Sequence, residues 1–134
     1  MNECRLAIGI GCDRGVMLGT IESALDQALA QCRCERGQIA VVASIDLKRN
    51  EVALLDLVQM HRWPLQFYPA HELAQVPVPN PSETVRRHTG TPAVAEAAAL
   101  LAAGATAADL LIEKFKLKGE DSRNVTISIA RMRN

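Results

Sequence analysis

Short apolar runs alternate with helix-period segments through the first half of the chain. Arg5 to Ile10 (RLAIGI) is an apolar run closed by glycines, a pattern that suits a buried strand better than an amphipathic helix. Beyond the glycines, Ile21, Ala24, Leu25, Ala28 and Leu29 recur at helical spacing, with Thr20 placed to cap the start and Gly37 just beyond the end. Gln38 to Ser44 (QIAVVAS) is a second strand-like run, and it empties into the polar loop Ile45 to Asn50. Asn50-Glu51 then opens a second helix that carries Val52, Leu55 and Val58 and stops at Trp63-Pro64. Leu65 to Tyr68 (LQFY) reads as a third strand. Strands separated by helical connections predict a parallel βαβαβ half with right-handed crossovers.

The pattern changes at Pro69. Pro77, Pro79 and Pro81 crowd a short interval that suits an extended linker, without marking a domain boundary. Asn80-Pro81-Ser82-Glu83 has the order of an N-cap, a first-turn proline and an N3 glutamate, which predicts a short helix to about His88. Thr91-Pro92 repeats the start signal, and Ala93 to Ala103 is nearly all Ala, Val and Leu, as in a helix buried on most sides. Asp109 to Lys116 and Asn124 to Ile129 alternate in character and are joined by the polar stretch Leu117 to Arg123. They predict a terminal β-hairpin. The expected fold is therefore α/β: a mixed sheet with a parallel βαβαβ N-terminal half, flanking helices and a C-terminal β-hairpin, all in one domain over 1–134.

Composition narrows the function. A chain of 134 residues with 49% hydrophobic content can bury a continuous core. Fifteen basic and fifteen acidic residues cancel, so overall charge offers no long-range attraction to a nucleic acid or an anionic membrane. Aromatic residues make up 3%, too few for the stacking platforms of single-strand binders. No basic, signal-like leader opens the chain and no apolar run nears the roughly 18 residues of a membrane span. These readings lead us to expect a cytoplasmic protein with neither nucleic-acid nor membrane partners. Cys4, Cys12, Cys32 and Cys34 form no CxxC pair, so reduced thiols without a metal site are expected.

Candidate chemistry gathers in the loops. Ligands in open α/β sheets bind at the carboxyl ends of the strands, which brings loop 11–15 and loop 45–50 to one crevice. Gly11 and Gly15 would let backbone amides approach a ligand, Arg14 would grip a carboxylate or phosphate, and Cys12 and Asp13 complete the loop. A tight structural turn would look the same, and the full GxGxxG spacing is lacking. Ser44, Asp46 and Lys48 offer a hydroxyl, a carboxylate and an ammonium, although a solvated loop would too. Asn80, Ser82, Gly90 and Thr91 stand at helix starts with unpaired amides, where capping is the competing role. His88 has the ordinary pKa of a general base, but a solvent-exposed histidine is the simpler alternative. Glu96, alone in an apolar helix, must face solvent, a ligand or a hydrogen-bonding partner, with the helix dipole favouring its ionised form. Lys114, Lys116 and Lys118 alternate along the predicted hairpin as a basic edge or a solvated stripe.

Taken as an ordered set, Gly9-Ile10-Gly11-Cys12, Ala43 to Lys48, Asn80-Pro81-Ser82-Glu83, Gly90 to Ala98 and Val125 to Ala130 span almost the whole chain. The set resembles the cobalamin-biosynthesis family of CobE and the C-terminal domain of CbiG. Asp13 departs from a basic residue expected there, and Ala93 from a common serine. The resemblance implies a role in making the corrin ring of vitamin B12, with a polycarboxylated precorrin-type tetrapyrrole as ligand and other cobalamin-pathway enzymes as further partners; no separate cofactor is implied. CbiG-type proteins open the lactone of cobalt-precorrin-5A. By that likeness Asp46, Glu96 or His88 would be the base that activates water. Three readings stay open: a protein that binds or hands over the intermediate, a precorrin hydrolase, and an interaction subunit without a ligand.

Overall fold

A computed structural model describes residues 4–82 and 93–133 of the chain. The first half runs β1 (Leu6–Cys12), α1 (Leu18–Gln31), β2 (Ile39–Ile45), α2 (Val52–His61) and β3 (Leu65–Tyr68). A short helix α3 (Ala70–Leu73), helix α4 (Val94–Ala103) and the strands β4 (Leu110–Lys118) and β5 (Asn124–Arg131) follow. The strands form one five-stranded sheet in the order β3-β2-β1-β5-β4. β1 pairs with β2 and β2 with β3 in parallel, whereas β5 lies antiparallel to both β1 and β4. The expected mixed α/β sheet with a parallel N-terminal half and a terminal hairpin is thus the observed one. The hairpin docks on β1, so the first strand becomes the centre of the sheet.

Strand alternation sorts the core into two layers. Leu6, Ile8 and Ile10 of β1 join Val125, Ile127 and Ile129 of β5 beneath α1 and α2, where Ile21, Leu25, Leu54 and Leu57 are buried. On the opposite face Ala7, Val41, Ala43 and Ala130 meet the alanine-rich α4. Small side chains on both partners bring this helix close to the sheet. Gly9 sets the limit, because a Cβ there would lie 1.8 Å from the carbonyl oxygen of Ala95.

Several element ends differ from the sequence pattern. α1 begins one turn before expected: Met17 is the N-cap, Thr20 lies buried inside the first turn, and Asp121 in the hairpin turn accepts the Met17 amide at 2.9 Å. A distant carboxylate therefore does the capping that was assigned to Thr20. At the other end Arg33, at φ 58°, supplies the left-handed residue, and Gly37 belongs to a separate 3₁₀ turn, Arg36–Gln38. α2 starts after Glu51 rather than at Asn50, and its Arg62 at φ 59° ends it. α3 lies between Pro69 and the Pro77-Pro79-Pro81 interval, where the sequence pattern assigned no element, and is held by the fully covered Leu73. The short helix expected to follow Asn80-Pro81-Ser82 and the Thr91-Pro92 cap fall on residues outside the described ones.

β4 is irregular in a way that positions side chains. Leu110 pairs with Ala130, Ile112 with Ile129 and Phe115 with Ile127, so one extra residue bulges on each side of Ile112. The Ser128 hydroxyl donates to the Glu113 carbonyl at 2.6 Å and satisfies the second bulge. Phe115 and Leu117, paired with Ile127 and Val125, share the α1 layer with them. Lys114 and Lys116 take the opposite face, beside α4.

Candidate functional site

The carboxyl ends of β1 and β2, the first turn of α4 and the β4-β5 hairpin surround a cleft of about 580 Å³. Gly11 to Arg14 form one side, Ile45, Leu47 and Lys48 a second, Ala93 to Glu96 a third, and Lys114, Lys116, Asn124 and Thr126 the fourth. Ser82 also reaches it. Apolar surface lines much of the interior, and cationic side chains stand around it. Loops from two parallel strands meet here because the sheet order places β1 beside β2 and crossovers leave both on the same edge. The cationic fourth side exists because β5 brings the bulged β4 across the same end.

The loop after β1 is held by the protein itself. Gly11 is inside the strand, paired with Thr126, and a Cβ there would make ordinary contact with Val94 at 3.7 Å. Gly15 adopts φ +80°, which requires glycine in practice, and its amide donates to Oε2 of Glu51 at 2.9 Å. An internal carboxylate thus takes the amide that was expected to meet an anionic ligand. Asp13 Oδ2 accepts the Asn124 backbone amide at 2.7 Å and its side-chain amide at 3.0 Å, while the Asp13 amide donates to the Asn124 carbonyl at 2.9 Å. Asp13 therefore fastens the loop to β5. Arg14 stays exposed at the cleft, and Cys12 ends β1 on its wall. Burial pushes the Cys12 thiol up to about 11, with Lys48 opposing the rise.

Loop 45–50 separates in the same way. Ser44 is fully buried and its hydroxyl donates to the Ile10 carbonyl at 2.6 Å, so it ties β2 to β1 instead of facing the cleft. Asp46 opens a 3₁₀ turn, Asp46–Lys48, and lies beside the cleft lining rather than in it. Lys48 does line it, with its ammonium 3.8 Å from Glu51 Oε1. Asn80 donates from Nδ2 to Glu113 at 2.6 Å, and its carbonyl accepts from Lys114. His88, Gly90 and Thr91 lie outside the described residues.

Glu96 is the most deeply buried charged group of the cleft, 1% exposed. Its Oε1 stands 3.5 Å from the Lys114 ammonium, and its Oε2 has no hydrogen-bond partner among the described residues. Burial raises its carboxyl above the ordinary range, and Lys114 only partly offsets that rise. Desolvation of a side chain this well covered acts against the helix dipole, which favours the ionised form. Sequence reading placed Lys114 and Lys116 on a basic stripe but not at the site, and passed over Asn124, Thr126 and the buried Glu51. Alternating lysines on a strand were the available signal. Among the described residues no cluster of three or more His, Cys, Asp and Glu side chains could hold a metal ion, and no helix is long and apolar enough to cross a membrane.

Residues 6–130 match the family described as Cobalamin synthesis G C-terminus. The chain is 35% identical over 125 residues to a cobalt-precorrin-5A hydrolase of Priestia megaterium, a match that covers 93% of this chain and 32% of that protein. The chain thus spans about a third of the hydrolase's length. It is 36% identical over 112 residues to Protein CobE of Sinorhizobium sp, covering 82% of this chain and 72% of the relative. A crystal structure of CobE, a protein from the cobalamin (vitamin B12) biosynthetic pathway, superposes with a TM-score of 0.78 at 31% identity, over 97% of this chain and 92% of that one.

Proposed function

The chain belongs to the Cobalamin synthesis G C-terminus family, and from that premise we propose that it binds a polycarboxylated, precorrin-type tetrapyrrole in the cleft between α4 and the β4-β5 hairpin. The observation that carries this reading is the cleft's lining: Ile45, Leu47 and Val94 give it apolar walls, while Arg14, Lys48, Lys114 and Lys116 stand around them. A tetrapyrrole of this type has the complementary build, an apolar ring edged with carboxylates. The volume of about 580 Å³ falls within the range of small-molecule sites. Charge-assisted hydrogen bonds from lysine and arginine to carboxylates are among the stronger polar contacts. Partial neutralisation by Asp13 and Glu96 keeps the cleft from being a general anion trap.

Titration with a metal-free corrinoid polycarboxylate, followed by the ligand's absorbance, tests the proposal. Saturable binding that weakens with salt supports it. No binding at high micromolar ligand overturns it.

Hydrolysis of a precorrin lactone is the second reading, favoured by one specific observation: Glu96 is a buried carboxylate in the cleft with a raised pKa and an oxygen that no described residue hydrogen-bonds. Such a group is suited to exchange protons with a reacting water. Turnover of a purified precorrin by this chain, lost on replacing Glu96, would establish that reading. Binding without turnover would leave the chain a binding protein.

A further inference from the structure

The geometry around Glu96 has a consequence for how an anion is held. Its side chain is 1% exposed, and Oε2 lacks a hydrogen-bond donor among the described residues. The Lys114 ammonium, 3.5 Å from Oε1, is shared with the carbonyl of Asn80. A buried acceptor without a donor is unfavourable and is relieved when a ligand or a proton reaches it. An incoming carboxylate would draw Lys114 toward itself and place a second negative charge beside the first. Two carboxylates that share a site do not both stay ionised, and one of them takes a proton.

We propose that Glu96 takes up a proton when an anionic ligand group engages Lys114, and then donates that proton to the ligand in a hydrogen bond. The proton comes from solvent: the carboxylate becomes a carboxylic acid, and no other bond is made or broken. This inference rests on the cleft being the ligand site. β4 faces Glu96 with Glu113, which favours protonation, and with Lys114 and Lys116, which oppose it. Among the described residues, the remaining titratable groups of the lining, Cys12, Asp13, Arg14 and Lys48, come from the ends of β1 and β2. α4 adds no second charge, since its other residues are Val, Ala and Leu. β5 contributes the uncharged Asn124 and Thr126.

Calorimetric titration of the full chain with the same metal-free corrinoid polycarboxylate, at pH 7 in buffers of different ionisation enthalpy, counts the protons taken up. The wild-type chain is expected to take up about one proton more per ligand than Glu96→Gln, whose amide copies the shape and donor of the acid form. The variant should bind at least as tightly at pH 7, and its affinity should vary less with pH. Equal proton uptake in the two chains, or binding several-fold weaker in Glu96→Gln, overturns the inference while leaving the ligand site intact. Absence of binding by the wild type overturns the ligand site, and this inference falls with it. Should Glu96→Gln not fold, infrared difference spectra of wild-type chain labelled with carbon-13 at its glutamate carboxyls give the same answer. A labelled protonated-carboxyl band that appears on binding supports proton uptake, and its absence overturns it.

Discussion

Gly9 and Ala95 touch backbone to backbone: a Cβ on Gly9 would stand 1.8 Å from the Ala95 carbonyl oxygen and 2.9 Å from the Ala99 amide nitrogen. The obstructing atoms are helix backbone, which cannot rotate aside as a side chain would. Glu96 and Val94 reach the cleft because α4 lies this close to β1. Gly9→Ala is therefore expected to destabilise the fold by at least about 2 kcal/mol, measured by urea unfolding. A loss under about 0.5 kcal/mol, the range of an inert substitution, would show that the helix can lift away freely.

Glu51 joins the loop after β1 to the start of α2, since its Oε2 accepts the Gly15 amide across 36 positions of sequence. Glu51→Ala removes that acceptor from a buried setting and is expected to cost about 1–2 kcal/mol. Hydrogen exchange at the Gly15 amide should quicken in the variant. Unchanged protection there would place the amide's partner elsewhere.

Lys48 and Lys116 stand on opposite sides of the cleft, one after β2 and the other on β4. If the cleft holds a polycarboxylate, replacing either by alanine should weaken binding of the corrinoid probe about tenfold, equivalent to about 1.4 kcal/mol. Each replacement should also reduce the dependence of affinity on salt. Wild-type affinity and salt dependence in both variants would move the ligand away from this face.

Cys12 lines the cleft, yet burial pushes its thiol up to about 11. The thiolate is the reactive form, so at pH 8 little of it is present and alkylation of this residue by iodoacetamide should be slow. Mass spectrometry of modified peptides reads the rate. Labelling of Cys12 as fast as that of a free cysteine would reveal an activated thiol.

Asp109 accepts from Arg133 at 2.9 Å, and that hydrogen bond holds its carboxyl below the ordinary value of 3.8. A depressed acid stabilises the fold at pH values above its unfolded pKa, and the contribution disappears as pH falls through the lower folded value. Thermal midpoints of the wild type should thus drop on acidification below pH 3.8, and Asp109→Asn should flatten that fall. Identical acid limbs in the two chains would remove Asp109 from the pH response.

Much of this protein could be read from local pattern. RLAIGI and QIAVVAS, separated by a helix-period segment, mark the inner parallel strands because a strand covered on both faces is mostly apolar, and LQFY, with Gln66 exposed at the sheet edge, was legible as a short run after the Trp63-Pro64 stop. The alternating tail determined the hairpin. The ordered motifs determined the family, since together they span almost the whole chain. Arg14, Lys48 and Glu96 could be proposed as site residues because charges beside predicted strand ends or inside an apolar helix stand out locally.

Only the tertiary structure decided which of those polar groups face the cleft and which hold the fold together. Ser44 turned inward to Ile10, Gly15 gave its amide to Glu51, and Asp13 closed on Asn124, 111 positions away. Such partners are invisible to a local reading, because they depend on which strand becomes the neighbour of β1. The register of β4 on β5 decided the cationic wall: Phe115 pairs with Ile127 and Leu117 with Val125 in the α1 layer, so Lys114 and Lys116 come to face α4 and Glu96. A strand's side-chain period is two residues and each inserted residue reverses the faces, so the two bulges on either side of Ile112 turn that residue to the α1 layer and return Lys114 to the face of Leu110. The sequence determined that charges would gather at this edge of the sheet, and tertiary pairing decided which of them remain available to a ligand.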